Sequence, residues 1–231
     1  MIDKNLKVCN NCLMDSTDSS INFNQSGQCV YCENYYNNIL PKWKRNINDD
    51  QYLLNTIDKI KKASELKDFD CIIGLSGGLD SSYLAYIAKV KFGLRPLLFH
   101  VDAGWNTDKA VGNIEKLVDG LGLDLYTEVI NWEEMKDLQV SFLKSQLPHQ
   151  DIPQDTAFFS ALYKFAKKHK IKYVLTGGNF STESIREPDE WGCIPGIDKT
   201  LIKDVHSKYG VRPLSTFPII DVFVSKIYYK Y

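Results

Sequence analysis

Seven consecutive residues, Ser76-Gly77-Gly78-Leu79-Asp80-Ser81-Ser82, stand where a short apolar run (69–75) gives way to Leu84, Ile87, Ala88 and Lys91 at helical spacing. That order reads as strand, tight turn, helix. The same texture then recurs. Residues 96–101 form a second apolar run. Ala110, Val111, Ile114, Leu117, Val118 and Leu121 mark a helix closed by Gly122. Residues 123–130 read as a third strand, 135–147 and 157–169 as helices, and 171–176 as a fourth strand. Alternating units of this length predict an α/β fold, a parallel sheet with helices on both faces. A further helix is expected over 198–209, stopped by Gly210.

In such a sheet the turn at Ser76 falls on the carboxyl edge, where open α/β proteins bind ligands. Two adjacent glycines let the backbone approach an oxyanion. The helix N-terminus offers unpaired N–H groups and partial positive charge, and the hydroxyls add donors. A polyphosphate fits these features. No Gly-Lys-Ser/Thr ending follows, which separates the loop from the Walker type. The bland alternative is an ordinary helix start with Asp80 and Ser81 as caps.

Residues 1–47 have little apolar periodicity, so something other than burial must hold them. Cys9-Asn10-Asn11-Cys12 and Cys29-Val30-Tyr31-Cys32 are two C-x2-C pairs separated by sixteen residues, the spacing of a zinc ribbon. Two residues between thiolates let both sulfurs of a pair face one ion, and two pairs complete a tetrahedron. Gly27 supplies the turn before the second pair. A closed four-thiolate site leaves no open position, so the zinc would be structural. Two disulfides or an iron–sulfur cluster are the alternatives. Cys71 and Cys193 read as inert single thiols. The second domain, residues 48–231, is expected to open on an amphipathic helix over 49–66, where Leu53, Leu54, Ile57 and Ile60 recur.

With 28 basic against 29 acidic residues the 231-residue chain has a formal net charge of -1. A global pull toward nucleic acid or an anionic membrane is therefore not expected. Residues 1–7 lack the apolar run of a secretory signal, and residues 217–231 are too short and too charged for a membrane helix. The expectation is a cytoplasmic protein without a membrane span.

The heptad resembles the SGGxDS signature of the PP-loop superfamily, which cleaves ATP between the α- and β-phosphates and keeps an adenylated substrate. The resemblance implies that Ser76, Gly77, Gly78, Ser81 and Ser82 cradle pyrophosphate, with Asp80 near the Mg²⁺ that neutralises it. It also implies that His100-Val101-Asp102 holds the adenosine, and that Thr176-Gly177-Gly178-Asn179 ends the fourth strand on the same edge. For Asp102 a cap or turn role is the alternative.

The cysteine pairs, the heptad, His100 to Asn106, Asp151-Ile152-Pro153-Gln154-Asp155 and Leu175 to Phe180 together resemble the N-acetyl sugar amidotransferase family. Nearly the whole chain takes part in this likeness. That family serves bacterial surface polysaccharide synthesis (lipopolysaccharide O-antigen) and flagellin glycosylation with pseudaminic-acid-type sugars. It turns an acetamido group into an acetamidino group through an O-adenylyl imidate. The cofactors implied are ATP, Mg²⁺ and structural Zn²⁺. The partners implied are an N-acetylated sugar or sugar nucleotide and ammonia-supplying subunits similar to the histidine-biosynthesis glutaminase and cyclase pair. Asp80, Asp155, Glu183 and Arg186 are the candidates for catalysis. Relatives usually continue past the position of Tyr231 into a helical part, so a C-terminal truncation is expected. A tRNA thiolase and a non-catalytic nucleotide-binding or zinc-ribbon paralogue are the competing readings.

Overall fold

The computed structural model describes residues 6–42, 51–178 and 198–220. These fall into two compact units, residues 6–42 with 51–56, and residues 57–178 with 198–220. The domain boundary expected at residues 47–48 lies outside the described residues.

In the first unit, two short antiparallel bridges, Val8 with Asp15 and Phe23 with Cys29, form the turns that carry the cysteine pairs. Helix α1 (Val30–Asn34) begins at the second pair and continues through a π-helical turn, Tyr35–Ile39. Gly27 takes φ +79, and a Cβ there would lie 2.5 Å from the Asn10 amide. Asn10 uses that approach, since its Nδ2 donates to the Ser26 carbonyl at 2.7 Å. The two cysteine turns are thus tied together before any ion is considered.

Helix α2 (Gln51–Ala63) buries Ile57 and Ile60 of the four positions its periodicity predicts, while Leu53 is half-buried and Leu54 exposed. The larger unit then builds four parallel strands: β1 (Cys71–Gly74), β2 (Pro96–Asp102), β3 (Leu125–Val129) and β4 (Val174–Leu175), in the order β3-β2-β1-β4. Cys71 pairs with Pro96, Leu98 with Leu125, and Ile72 with Val174. Every residue of β2 from Pro96 to Val101 is buried, as a central parallel strand covered on both faces must be. At the sheet edge β3 is largely exposed, so its pattern is the less apolar one.

The helices are α3 (Leu79–Tyr86), prolonged by a π-helical turn Ile87–Lys91, α4 (Asp108–Leu121), α5 (Trp132–Ser145), α6 (Ile152–Lys168) and α7 (Lys199–Tyr209). Ile72, Leu97, Phe99 and Val101 share one core with Met135, Leu138 and Phe142 of α5, Ala157 to Ala166 of α6, and Ile202 of α7. The alternate residues Ile73 and Leu98 are also fully buried, on the opposite face. At the other end of the strands, Asp70 joins Arg95 to Ser64: Arg95 donates from its guanidinium at 2.7 Å, and the Ser64 hydroxyl donates at 2.7 Å.

Two helices start earlier than their apolar spacing predicts. α5 begins at Trp132 because the Asn131 carboxamide oxygen accepts from the Glu133 and Glu134 N–H groups. α6 begins at Ile152, with Pro153 in its first turn. Capping chemistry sets those ends, and apolar periodicity does not report it.

The start of α5 also holds the chain that follows α7. Glu134, 7% exposed, accepts backbone N–H bonds from Ser215, Thr216 and Phe217 at 2.7–3.1 Å. One turn on, Asp137 accepts from the Val211 and Arg212 N–H groups and from His206 Nε2 at 3.0 Å. Two carboxylates on one helix face thereby satisfy a run of backbone donors, part-buried at 211–216 and buried at Phe217, that has no strand to pair with. No described helix is long and apolar enough to cross a membrane.

Candidate functional site

The four N-terminal sulfurs lie within 4.8 Å of one another. Cys9 and Cys32 are 3.9 Å apart, and Cys12 and Cys29 3.7 Å. An ion ~2.3 Å from each of four sulfurs holds them ~3.8 Å apart at the tetrahedral angle. The donor set therefore fits one zinc. Both separations are far too long for a disulfide, and all four thiols are free. Backbone N–H groups of Asn11 and Cys29 point at Cys9 Sγ, at 3.4 and 3.2 Å, and Asn11 Nδ2 reaches Cys32 Sγ at 3.3 Å. Burial opposes charge on Cys9, yet the N–H groups of Asn11, Cys29 and Cys12 bring this thiol down to about 6. Burial pushes Cys12 up to about 12 and also raises Cys32, with neighbouring sulfurs adding to both. Cys9 ionises readily while the raised thiols of Cys12 and Cys32 favour ionisation only beside a cation, as suits a thiolate cage for a metal.

In the larger unit the chain runs outward from β1 to β2 to β3 and then returns to place β4 on the other side of β1. The topological switch lies at the carboxyl ends of β1 and β4, where a crevice opens in sheets of this kind. The Ser76 loop leaves β1 there. Gly77, buried, takes φ +77, and a Cβ on it would sit 2.5 Å from the Ala110 carbonyl oxygen in the first turn of α4. Only glycine satisfies both conditions. Ser76 and Ser81 hydroxyls are 3.1 Å apart, the Gly78 N–H donates to Ser76 Oγ, and Ser82 Oγ donates to the Gly78 carbonyl at 2.7 Å. The loop is a closed, cross-braced turn opening into α3, whose first N–H groups have no partner within the helix.

The segment after β4 meets the loop from the other side. A Cβ on Gly177 would lie 3.1 Å from the Asp80 carbonyl carbon and the Ser81 nitrogen. Thr176, Gly177 and Gly178 thus stand beside the first turn of α3, and Gly177 keeps the backbones close. Asp80 is exposed in that turn.

His100, Val101 and Asp102 end β2, but their side chains are committed elsewhere. His100 is 7% exposed; its Nδ1 lies 2.8 Å from the Leu75 carbonyl and its Nε2 3.0 Å from Asn106 Nδ2. A carbonyl only accepts, so Nδ1 carries the proton and Nε2 accepts from the Asn106 amide. Neither nitrogen is left for a ligand. Val101 packs in the core. Asp102 accepts the Gly104 N–H at 2.9 Å, the turn role anticipated as its alternative. Beyond it, Trp105 and Trp132 meet edge to face at 5.0 Å, and Gly104, at φ +85, lies against the Trp132 ring.

Asp155 lies in the first turn of α6, one turn before Phe158, whose ring covers Gly74 at the end of β1. Asp155 itself is exposed. The surrounding protein raises the carboxyl above its ordinary value, Asp151 adds to the rise, and His149 partly offsets it. The candidates Glu183 and Arg186, with Asn179 and Cys193, lie outside the described residues. Cys71 is fully buried, and burial together with the charge of Asp70 pushes its thiol up to about 12, an inert group. Sequence reasoning missed Asn113 and gave Asn106, within the stretch His100 to Asn106, no role of its own; both support the loop from outside its motif. A lone asparagine 36 residues from its partner carries no local signal.

No protein-family model and no curated protein matches the chain. Among solved structures it is similar to NMN synthetase from Francisella tularensis, at 20% identity and TM-score 0.46 over 69% of this chain and 68% of that one. It is also similar to an NH3-dependent NAD synthetase from Campylobacter jejuni, at 16% identity and TM-score 0.41 over 68% and 72% of the two chains. A third is a glutamine-dependent NAD+ synthetase from Acinetobacter baumannii, at 17% identity and TM-score 0.43, covering 66% of this chain and 31% of that one.

Proposed function

We propose that the chain is an ATP-dependent ligase of the PP-loop type that forms AMP and pyrophosphate. The single observation behind this reading is the glycine-shaped, cross-braced turn of Ser76 to Ser82 at the carboxyl ends of β1 and β4. Its backbone amides, the serine hydroxyls and the first turn of α3 would bind the leaving diphosphate. Asp80 would hold the Mg²⁺ that neutralises it. The Gly177 segment forms the second wall.

For the acceptor we infer an acetamido group on a sugar or sugar nucleotide. The amide oxygen attacks the α-phosphorus, the α–β bond breaks, and pyrophosphate departs from an O-adenylyl imidate. Ammonia then adds at the imidate carbon and gives up a proton, and AMP leaves to form the acetamidino product. Amides are poor electrophiles, so the adenylyl group supplies the leaving ability while the protein positions the reactants. A carboxyl held above its ordinary value, such as Asp155, suits the proton taken from the incoming nitrogen. Glu183 and Arg186 remain proposals for substrate handling. Ammonia would come from a glutaminase partner, and the zinc module would be structural.

A thiolating enzyme needs a reactive cysteine, and the burial and raised thiol of Cys71 speak against it as the sulfur carrier. The test is substrate dependence: AMP and pyrophosphate release is measured with an N-acetylated sugar nucleotide plus ammonium, and with tRNA plus a sulfur donor. Turnover only in the first mixture supports the sugar reading, turnover only in the second replaces it, and binding of ATP without turnover in either favours a non-catalytic paralogue.

A further inference from the structure

We infer that Asn113 and the His100–Asn106 pair are positioning residues that set the polarity of the Ser76 loop by drawing its carbonyl oxygens away from the phosphate side. The inference rests on the diphosphate reading of this loop and adds residues outside its motif.

A turn that binds an anion must present N–H groups and withhold carbonyls, because a carbonyl dipole turned inward repels the charge that the amides attract. Each peptide carries both groups on opposite sides, so fixing the carbonyl fixes the following N–H. Three successive anchors do this here. The Leu75 carbonyl receives His100 Nδ1–H at 2.8 Å, and Asn106 holds that ring from its other nitrogen at 3.0 Å. The Gly77 carbonyl receives Asn113 Nδ2 at 3.1 Å. The Gly78 carbonyl receives Ser82 Oγ at 2.7 Å. The last anchor belongs to the motif; the first two come from β2, the loop after it and α4.

The Gly77 anchor matters most. A glycine at φ +77 followed by another glycine has little steric barrier to turning the peptide between them. Nothing in the backbone itself decides how this peptide faces the crevice; the Asn113 amide holds its oxygen from outside the motif, while Ser76 Oγ accepts its N–H at 3.3 Å from within. Asn113 is exposed on α4, so its side chain can be altered without disturbing the core.

The test titrates inorganic pyrophosphate with Mg²⁺ into the full chain by calorimetry and follows thermal unfolding in parallel. Asn113→Leu and Asn113→Asp, which cannot donate, are expected to bind pyrophosphate roughly tenfold more weakly, the worth of one hydrogen bond to the loop's orientation. Their melting temperature should stay that of the unaltered protein. Asn113→His, whose Nδ1–H can occupy the position of the amide nitrogen, should recover most of the affinity, which a merely structural surface residue would not require. Asn106→Leu should show a smaller loss in the same direction. Unaltered affinity in both donor-less variants overturns this inference and leaves the function standing. Failure of the unaltered protein to bind pyrophosphate overturns both.

Discussion

At the scale of single residues, the Ser76 loop depends on a glycine whose space is already taken. Gly77→Ala places a Cβ against the Ala110 carbonyl in a left-handed conformation, a strain of about 1–3 kcal/mol. Calorimetry should show pyrophosphate binding lost and denaturant titration a lower midpoint. Gly78→Ala is the internal control: its Cβ meets only Ser76 Oγ at 3.2 Å, the end of a side chain that can rotate. It should leave stability within ~0.5 kcal/mol. In the other unit, Cys9→Ser removes the sulfur whose pKa is brought down to about 6, and metal analysis should find well under one zinc per chain. The heptad and the cysteine pairs were legible because their spacing is local. The role of His100 was not: its residue type suggests a ligand contact, and only the fold shows that both ring nitrogens are used to hold β1 and the loop after β2.

Among the elements, the order of strands and helices followed from periodicity, since buried strands and amphipathic helices are patterned by the faces they cover. The ends of α5 and α6 did not, because Asn131 and Pro153 set them through capping. Least legible was the service α5 gives to residues 211–217. A carboxylate on a buried helix face looks like an error in an apolar pattern until its N–H partners, some eighty residues away, are known. Glu134→Gln and Asp137→Asn each replace an acceptor of several part-buried N–H groups by one that also donates, and should cost about 1–3 kcal/mol in chemical denaturation. For Asp137, burial favours the neutral acid, but the Arg212 N–H, His206 and the Val211 N–H outweigh it and hold the carboxyl below its ordinary 3.8. Asp70 is lowered likewise against its burial, by Arg95 and Ser64. The unfolded chain binds these protons first as pH falls through 3.8, so the stability they contribute is full above that value and lost below it. Unfolding midpoints should hold steady down to about pH 5 and fall below about pH 4. Asp70→Asn and Asp137→Asn should each flatten that fall.

In the molecule as a whole, the two units cohere by different means. The unit of residues 57–178 and 198–220 rests on a sheet buried on both faces. Residues 6–42 have a core of cysteines and a few partly buried apolar side chains around them, so a metal held by the four sulfurs would contribute most of their folding free energy. Chelation should make the segment 6–42 susceptible to limited proteolysis, while the sheet's amides stay protected from hydrogen exchange. Retained protease resistance without zinc would mean that the cysteine turns fold unaided. The most direct measurement of the central claim is which bond of ATP the chain breaks. With Mg²⁺-ATP, ammonium and an N-acetylated sugar nucleotide, the account predicts AMP and pyrophosphate in equal amounts, abolished in Gly77→Ala. ADP and orthophosphate as the products would contradict it.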